Sequence, residues 1–199
     1  SVARDILYVV GASGSGKSYF TRQFADQYRK LYPKRKIFLI SSLTEDNSID
    51  KIKDLKRIKL TPEFLMDDIQ AEDFKDSLVI FDDCEALMDK RMKLKVQGIL
   101  NQLLTIGRHH NISVCELRHN ATAGHETKLM LNEANSITMF PSGLGGRSLK
   151  YLLDQYLGLD NHQIKKLKNL KSRWVSVVKG FPMIVLSEKE AYVLNSQDD

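Results

Sequence analysis

Cysteine is scarce: the 199 residues hold only Cys84 and Cys115. Two cysteines in apolar settings cannot build a disulfide framework, and they fit a reducing compartment. No C-x-x-C or H-E-x-x-H spacing occurs, which excludes a zinc site even though Cys115 and His119 fall on the same face of one strand. No apolar run approaches the ~20 residues that cross a membrane, so no membrane partner is expected. The start, Ser-Val-Ala-Arg-Asp, lacks the basic-then-apolar pattern of a signal peptide and an initiator Met. The expectations are a soluble, intracellular, cytoplasmic protein and a leader that precedes this start. Internal repeats, low-complexity tracts and composition breaks are missing too. A single domain over 1–199 is therefore expected, with a core at 1–142 and a C-terminal helix pair and strands at 143–199.

What is present suits a globular fold. With 42% hydrophobic and 28% charged residues, the chain can bury one sizeable core. The net charge of +5 suits a partner that carries phosphates. Five of the cations, Lys165, Lys166, Lys168, Lys171 and Arg173, fall in one stretch free of acids.

Apolar, β-rich runs at Ile6–Val10, Ile37–Ile40, Leu78–Phe81, Ile112–Leu117 and Ser136–Phe140 predict strands buried on both faces. Helical spacing of Phe20, Phe24, Tyr28 and Leu31 predicts a helix after the first strand, ended by Pro33. A short helix is predicted at Thr61–Met66. Another is predicted from about Lys93 to Ile106, its apolar side Val96, Ile99, Leu100 and Leu103, with Gly107 as a left-handed cap. The alternation implies an α/β fold, a mostly parallel sheet covered by helices. In the tail, Leu149, Leu152, Leu153, Tyr156 and Leu157 predict one helix, stopped by Gly158. Asp160 with Gln163 forms a capping box for a second helix that buries Ile164, Leu167 and Leu170. Short strands follow at 174–178, 183–186 and 191–194, with a turn at Gly180-Phe-Pro182. A helix-turn-helix over residues 147–170 is the rival reading, but the apolar residues there are spent on packing.

Gly11-Ala-Ser-Gly-Ser-Gly16-Lys17-Ser18 matches G-x-x-x-x-G-K-[ST] between a predicted strand and a predicted helix, the context a phosphate loop requires. Its backbone amides surround phosphates, Lys17 reaches the β- and γ-oxygens, and the Ser18 hydroxyl ligates Mg²⁺ at the positive end of the helix. Gly11, Ala12, Ser13, Gly14, Ser15, Gly16, Lys17, Ser18 and Tyr19 are the candidate nucleotide contacts, and ATP with Mg²⁺ is the expected ligand. Asp82 ends the strand Leu78–Phe81 and is the second candidate for holding Mg²⁺. Asp83 is the candidate for polarising the attacking water, Glu85 competes for that role, and a helix cap is the structural alternative for Asp83. Arg108 and His119 lie near strand ends, where parallel sheets bind ligands. Arg108 is a candidate arginine finger and His119 a candidate γ-phosphate sensor; solvated loop groups are the alternative for both.

With Ile80-Phe-Asp-Asp-Cys84, Thr105-Ile-Gly-Arg-His-His-Asn-Ile-Ser113, Leu131-Asn-Glu-Ala-Asn-Ser-Ile-Thr138 and Phe140-Pro141 added to the glycine loop, most of the chain resembles the FtsK/HerA superfamily of DNA-pumping ATPases. Within it, the resemblance is to the poxvirus-type genome-packaging ATPases of large DNA viruses. It implies an ATP-hydrolysing motor that assembles as a homo-oligomeric ring around double-stranded DNA, indifferent to sequence, with Arg108 acting across a subunit boundary. It also implies packaging of a viral genome in a virus factory or virion. Members end with a helix pair and a pattern like Arg173-Trp-Val-Ser-Val-Val-Lys-Gly-Phe-Pro182. Many carry Gln or Ser near the end of the fourth core strand, where this chain has Glu116-Leu-Arg118-His119. A nucleotide or small-molecule kinase and a P-loop switch are the competing functions. No compact arginine cluster favours the kinase, and the pair Asp82-Asp83 favours turnover over a switch.

Overall fold

Strand β1 (Ile6–Val10) is buried along its whole length, as its run of β-branched and aromatic residues requires. The computed structural model describes residues 4–194, so the chain start at 1–3 lies outside them. The described residues divide into two compact units that interleave in sequence. Those up to Ile6 with Ser18–Arg118 form one; Leu7–Lys17 with those from His119 onward form the other.

In the first unit, helix α1 (Lys17–Leu31) leads into β2 (Lys36–Ser41), β3 (Leu55–Ile58), α2 (Pro62–Met66), β4 (Ser77–Asp82), α3 (Lys90–Ile106) and β5 (Ile112–Arg118). The strands run parallel in the order β3-β2-β4-β5. Register places Ser41 opposite Asp82, and Asp82 opposite Leu117, so the polar ends of β2 and β4 finish level. Strands β2, β4 and β5 and helix α2 lie where the sequence predicts them. Strand β3 is not predicted: its Lys56 and Arg57 interrupt any apolar run, and it sits at the edge of its unit's strand order, where charged side chains are tolerated.

Helix α1 corrects the predicted stripe. Thr21, Ala25 and Tyr28 are buried, Phe20 and Phe24 are half-buried, and Leu31 is 72% exposed. The inward face is turned by one residue because Thr21 and Ala25 are small enough to let the helix backbone approach its neighbours, while the phenyl rings pack at the margin. Helix α3 buries the predicted side chains and begins earlier than predicted, because Asp89 caps it by accepting from the amides of Arg91 (2.8 Å) and Met92 (3.4 Å). Gly107 is not the left-handed cap expected. Its φ is −58°, the chain continues through a 3₁₀ turn at Gly107–His110, and Asn111 takes the left-handed conformation at φ 54°. Glycine fits here for space: a Cβ would lie 3.0 Å from Arg4 Nη2, whose guanidinium donates to the carbonyls of Leu103, Leu104 and Ile112. Arg4 thus ties the end of α3 to the start of β5, and Leu103 O also accepts from the Gly107 amide.

The second unit holds most of β1, then α4 (His125–Glu133), β6 (Ser136–Met139), α5 (Gly146–Tyr151), α6 (Asn161–Lys168), β7 (Val175–Val178), β8 (Met183–Ser187) and β9 (Ala191–Leu194). The order is β1-β6-β7-β8-β9. The first pair is parallel and the rest antiparallel, so the fold is α/β with parallel strands extended by an antiparallel meander. Helix α5 widens into a π-helical stretch over Leu152–Tyr156, and Gly158 ends it at φ 64°. Leu149, Leu152, Leu153, Leu157, Ile164 and Leu167 are buried, so the helix pair is core. The predicted capping box is present in full, with Asp160 Oδ1 accepting from the Gln163 amide (2.7 Å) and Gln163 Oε1 from the Asp160 amide (3.0 Å). Among the described residues, no helix is long and apolar enough to cross a membrane.

Candidate nucleotide site

The loop from Gly11 to Gly16 leaves the end of β1 and closes on itself through the Ser15 amide, which donates to Ala12 O (3.2 Å). Gly14 and Gly16 have φ of 74° and 112°, conformations that L side chains rarely adopt. Space is restricted as well. A Cβ on Gly11 would lie 2.6 Å from Ser15 Oγ and 2.8 Å from Phe140 Cβ, and one on Gly16 would lie 3.3 Å from the Phe140 ring. Phe140 is 1% exposed and its amide donates to Val10 O (2.9 Å), so the end of β6 forms the floor of the loop. Lys17 is 7% exposed, and its ammonium donates to Gly11 O (2.6 Å) and Ala12 O (3.0 Å). It also stands 3.5 Å from His119 Nδ1.

Ser18 opens the other set of candidates. Its hydroxyl donates to Asp46 Oδ2 (3.0 Å), a contact that sequence reasoning missed. Asp46 Oδ1 accepts from the amides of Ser48 and Ile49, both at 2.8 Å, and the Asp46 amide donates to Asp50 Oδ2 (2.7 Å). The Asp46-Asn-Ser48 string is the signal that was available, since Asx turns of this kind fold a carboxylate back on its own chain. Asp82 is 5% exposed and accepts from the Ser41 hydroxyl (3.2 Å). Each pair sets a hydroxyl beside a carboxylate, and such hard oxygen donors are the chemistry that fits Mg²⁺.

Asp83 takes a left-handed conformation at φ 53°, at the start of a 3₁₀ turn over Cys84–Ala86. Its side chain makes no cap hydrogen bond there, and α3 is capped by Asp89, which removes the helix-cap alternative. Glu85 is engaged by Arg118, whose Nε donates to Glu85 Oε2 (2.9 Å) and whose Nη1 donates to Glu116 Oε1 (3.0 Å). All three side chains are at most 13% exposed, so the unusual charged strand end is a buried ionic cluster. Arg108 is exposed in its 3₁₀ turn, and Tyr19, 55% exposed, accepts from Gln23 Nε2 (3.2 Å). Burial, then the charges of Glu116, Asp82 and Asp83, pushes the Cys84 thiol well up, and burial does the same to Cys115. Both remain neutral thiols and neither is a nucleophile.

The family model described as Zonular occludens toxin (Zot) matches residues 5–127, more than half of the chain. The chain belongs to the Zot family. The family's P-loop ATPase character, of the FtsK/HerA type, agrees with the glycine loop and the acid-tipped β4. Similarity to one relative spans nearly the whole chain: it is 35% identical over 194 residues to "Uncharacterized protein V3" of Sputnik virophage, covering 96% of this chain and 78% of that one. B204, the DNA-packaging ATPase from Sulfolobus turreted icosahedral virus, shares the fold with a TM-score of 0.57 at 15% identity, over 96% of this chain and 97% of B204. The genome packaging NTPase B204 from Sulfolobus turreted icosahedral virus 2 in complex with ATP-gammaS aligns over the same shares, with a TM-score of 0.55 at 14% identity. Identities this low speak for the fold alone.

Proposed function

We propose that this Zot-family chain is an ATP-hydrolysing DNA translocase motor that works as a homo-oligomeric ring and packages a viral double-stranded genome, in a virus factory or in the virion. The observation that carries the reading is the buried Lys17 ammonium seated within a glycine loop that Phe140 holds open. An ammonium held by two loop carbonyls exchanges them for the stronger acceptors of a β,γ-phosphate. The next residue, Ser18, offers its hydroxyl to Mg²⁺, and Asp82 supplies the carboxylate that holds the ion through water. Mg²⁺, when bound, neutralises charge that develops on the phosphates. Asp83 polarises the attacking water. His119, in contact with Lys17, reports loss of the γ-phosphate, and exposed Arg108 is the finger offered to a neighbouring subunit.

Support for DNA as the partner is the net charge of +5 and the exposed lysines of α6, together with the shared fold of a protein named as a DNA-packaging ATPase. The deciding experiment measures phosphate release from ATP with and without duplex DNA of random sequence. Hydrolysis stimulated by DNA and lost in Lys17→Ala is the expected result. Hydrolysis indifferent to DNA would leave a switch, and phosphoryl transfer to a small acceptor would leave a kinase.

A further inference from the structure

Arg173 closes the acid-free basic run that starts at Lys165, and by sequence alone it belongs with the lysines as a grip on DNA phosphates. Its position sets it apart. The lysines of α6 face outward, and Lys166 Nζ lies 4.5 Å over the Tyr192 ring. Arg173 instead runs its aliphatic stem beside the phosphate loop: a side-chain carbon placed at Gly16 would lie 3.7 Å from Arg173 Cδ. The guanidinium begins one bond beyond that atom. Its backbone is tied down at the same point, because the Arg173 amide donates to Glu188 Oε2 (2.6 Å). Ser172 Oγ donates to the same carboxylate (3.3 Å) and accepts from the Glu188 amide (3.0 Å). The Arg173 amide holds the Glu188 carboxyl below the usual carboxylate range. The neighbouring chain is thereby anchored while the side chain stays exposed.

We propose that Arg173 is a phosphate-binding residue of the nucleotide site, acting in cis, a second cation beside Lys17 for the polyphosphate of a nucleoside triphosphate. The proposal rests on the nucleotide-site reading above and adds a residue to it. A planar guanidinium presents paired donors that match two phosphate oxygens, which the single ammonium of Lys17 does not. The separate position of Arg173 also removes it from the DNA contacts that the basic run suggests.

The test compares wild type, Arg173→Ala and Lys17→Ala for equilibrium binding of two probes in Mg²⁺, ATPγS and inorganic tripolyphosphate. The salt dependence of duplex binding is measured on the same proteins, with thermal melting as the folding control. Arg173→Ala should bind both probes about tenfold or more weakly, the usual worth of a charge-assisted contact, while the log–log salt slope for DNA stays that of wild type. Unchanged affinity for both probes, or a loss confined to ATPγS, overturns the phosphate role. A salt slope flattened by about one unit with nucleotide affinity intact returns Arg173 to the DNA path and also overturns it. If Lys17→Ala leaves both affinities unchanged, the nucleotide-site reading itself falls.

Discussion

Replacing Arg118 by Met tests the ionic cluster at the end of β5. Arg118 is 4% exposed and bridges Glu85 and Glu116 at 2.9 and 3.0 Å, and Glu116 is itself 5% exposed. Met keeps the length and much of the volume of the stem but removes the cation that two enclosed carboxylates share. Breaking a buried pair by deleting one partner costs about 3–5 kcal/mol, because the remaining charge stays desolvated. For a chain of this size each kcal/mol lowers the melting temperature by ~2–4 °C, so a fall of roughly 6–20 °C is expected. Urea unfolding of Arg118→Met, with Arg118→Met/Glu116→Leu beside it, reads the loss. The double variant should regain more than half of the loss, since Glu85 is the most exposed of the three and can turn to water. A loss under about 1 kcal/mol would refute the idea that these charges depend on one another.

Three further outcomes follow from the same geometry. Gly16→Ala should cost about 1–3 kcal/mol through its φ of 112° and crowd Phe140, lowering both melting temperature and ATP affinity; unchanged values for both would show that the loop tolerates a side chain. Asp82→Asn should weaken Mg²⁺-dependent ATP binding, whereas Asp83→Asn should leave affinity intact and cut turnover by ~10²-fold or more; a larger rate loss in Glu85→Gln would move water activation to Glu85. Replacing Lys165, Lys166 and Lys168 by Gln should flatten the salt slope of duplex binding by up to about three units, and an unchanged slope would take α6 out of the DNA path.

Features written in consecutive residues were legible in the sequence. The glycine loop declares itself because its chemistry needs fixed spacing, and β1, β2, β4, β5 and β6 do so because strands buried on both faces read as unbroken apolar runs. Strand β3 and helix α4 escaped, the first because an edge strand carries charge, the second because nine residues with a weak apolar face look like a loop. The facing of α1 is not legible because bulk does not track burial in it: the close approach of the helix selects Thr21 and Ala25 and leaves Leu31 exposed. Contacts between distant segments leave no local pattern. Asp46 meets Ser18 across 28 positions, Arg118 meets Glu85 across 33, and Arg173 reaches Gly16 only through the packing of the tail. The charged strand end at Glu116 and Arg118 is hard to read for the same reason: the second carboxylate on Arg118, that of Glu85, is fixed by a turn after a different strand.

Phe140 gives the loop a history as well as a shape. Because Gly11 and Gly16 rest against a ring that is already buried, the loop's conformation is settled when the chain folds and not when a nucleotide arrives. For the nucleotide proposed above, little binding energy then goes into ordering the loop, and capture amounts to moving the Lys17 ammonium off two carbonyls. Loading is then not the step that paces the proposed motor, which leaves hydrolysis or product release to do so.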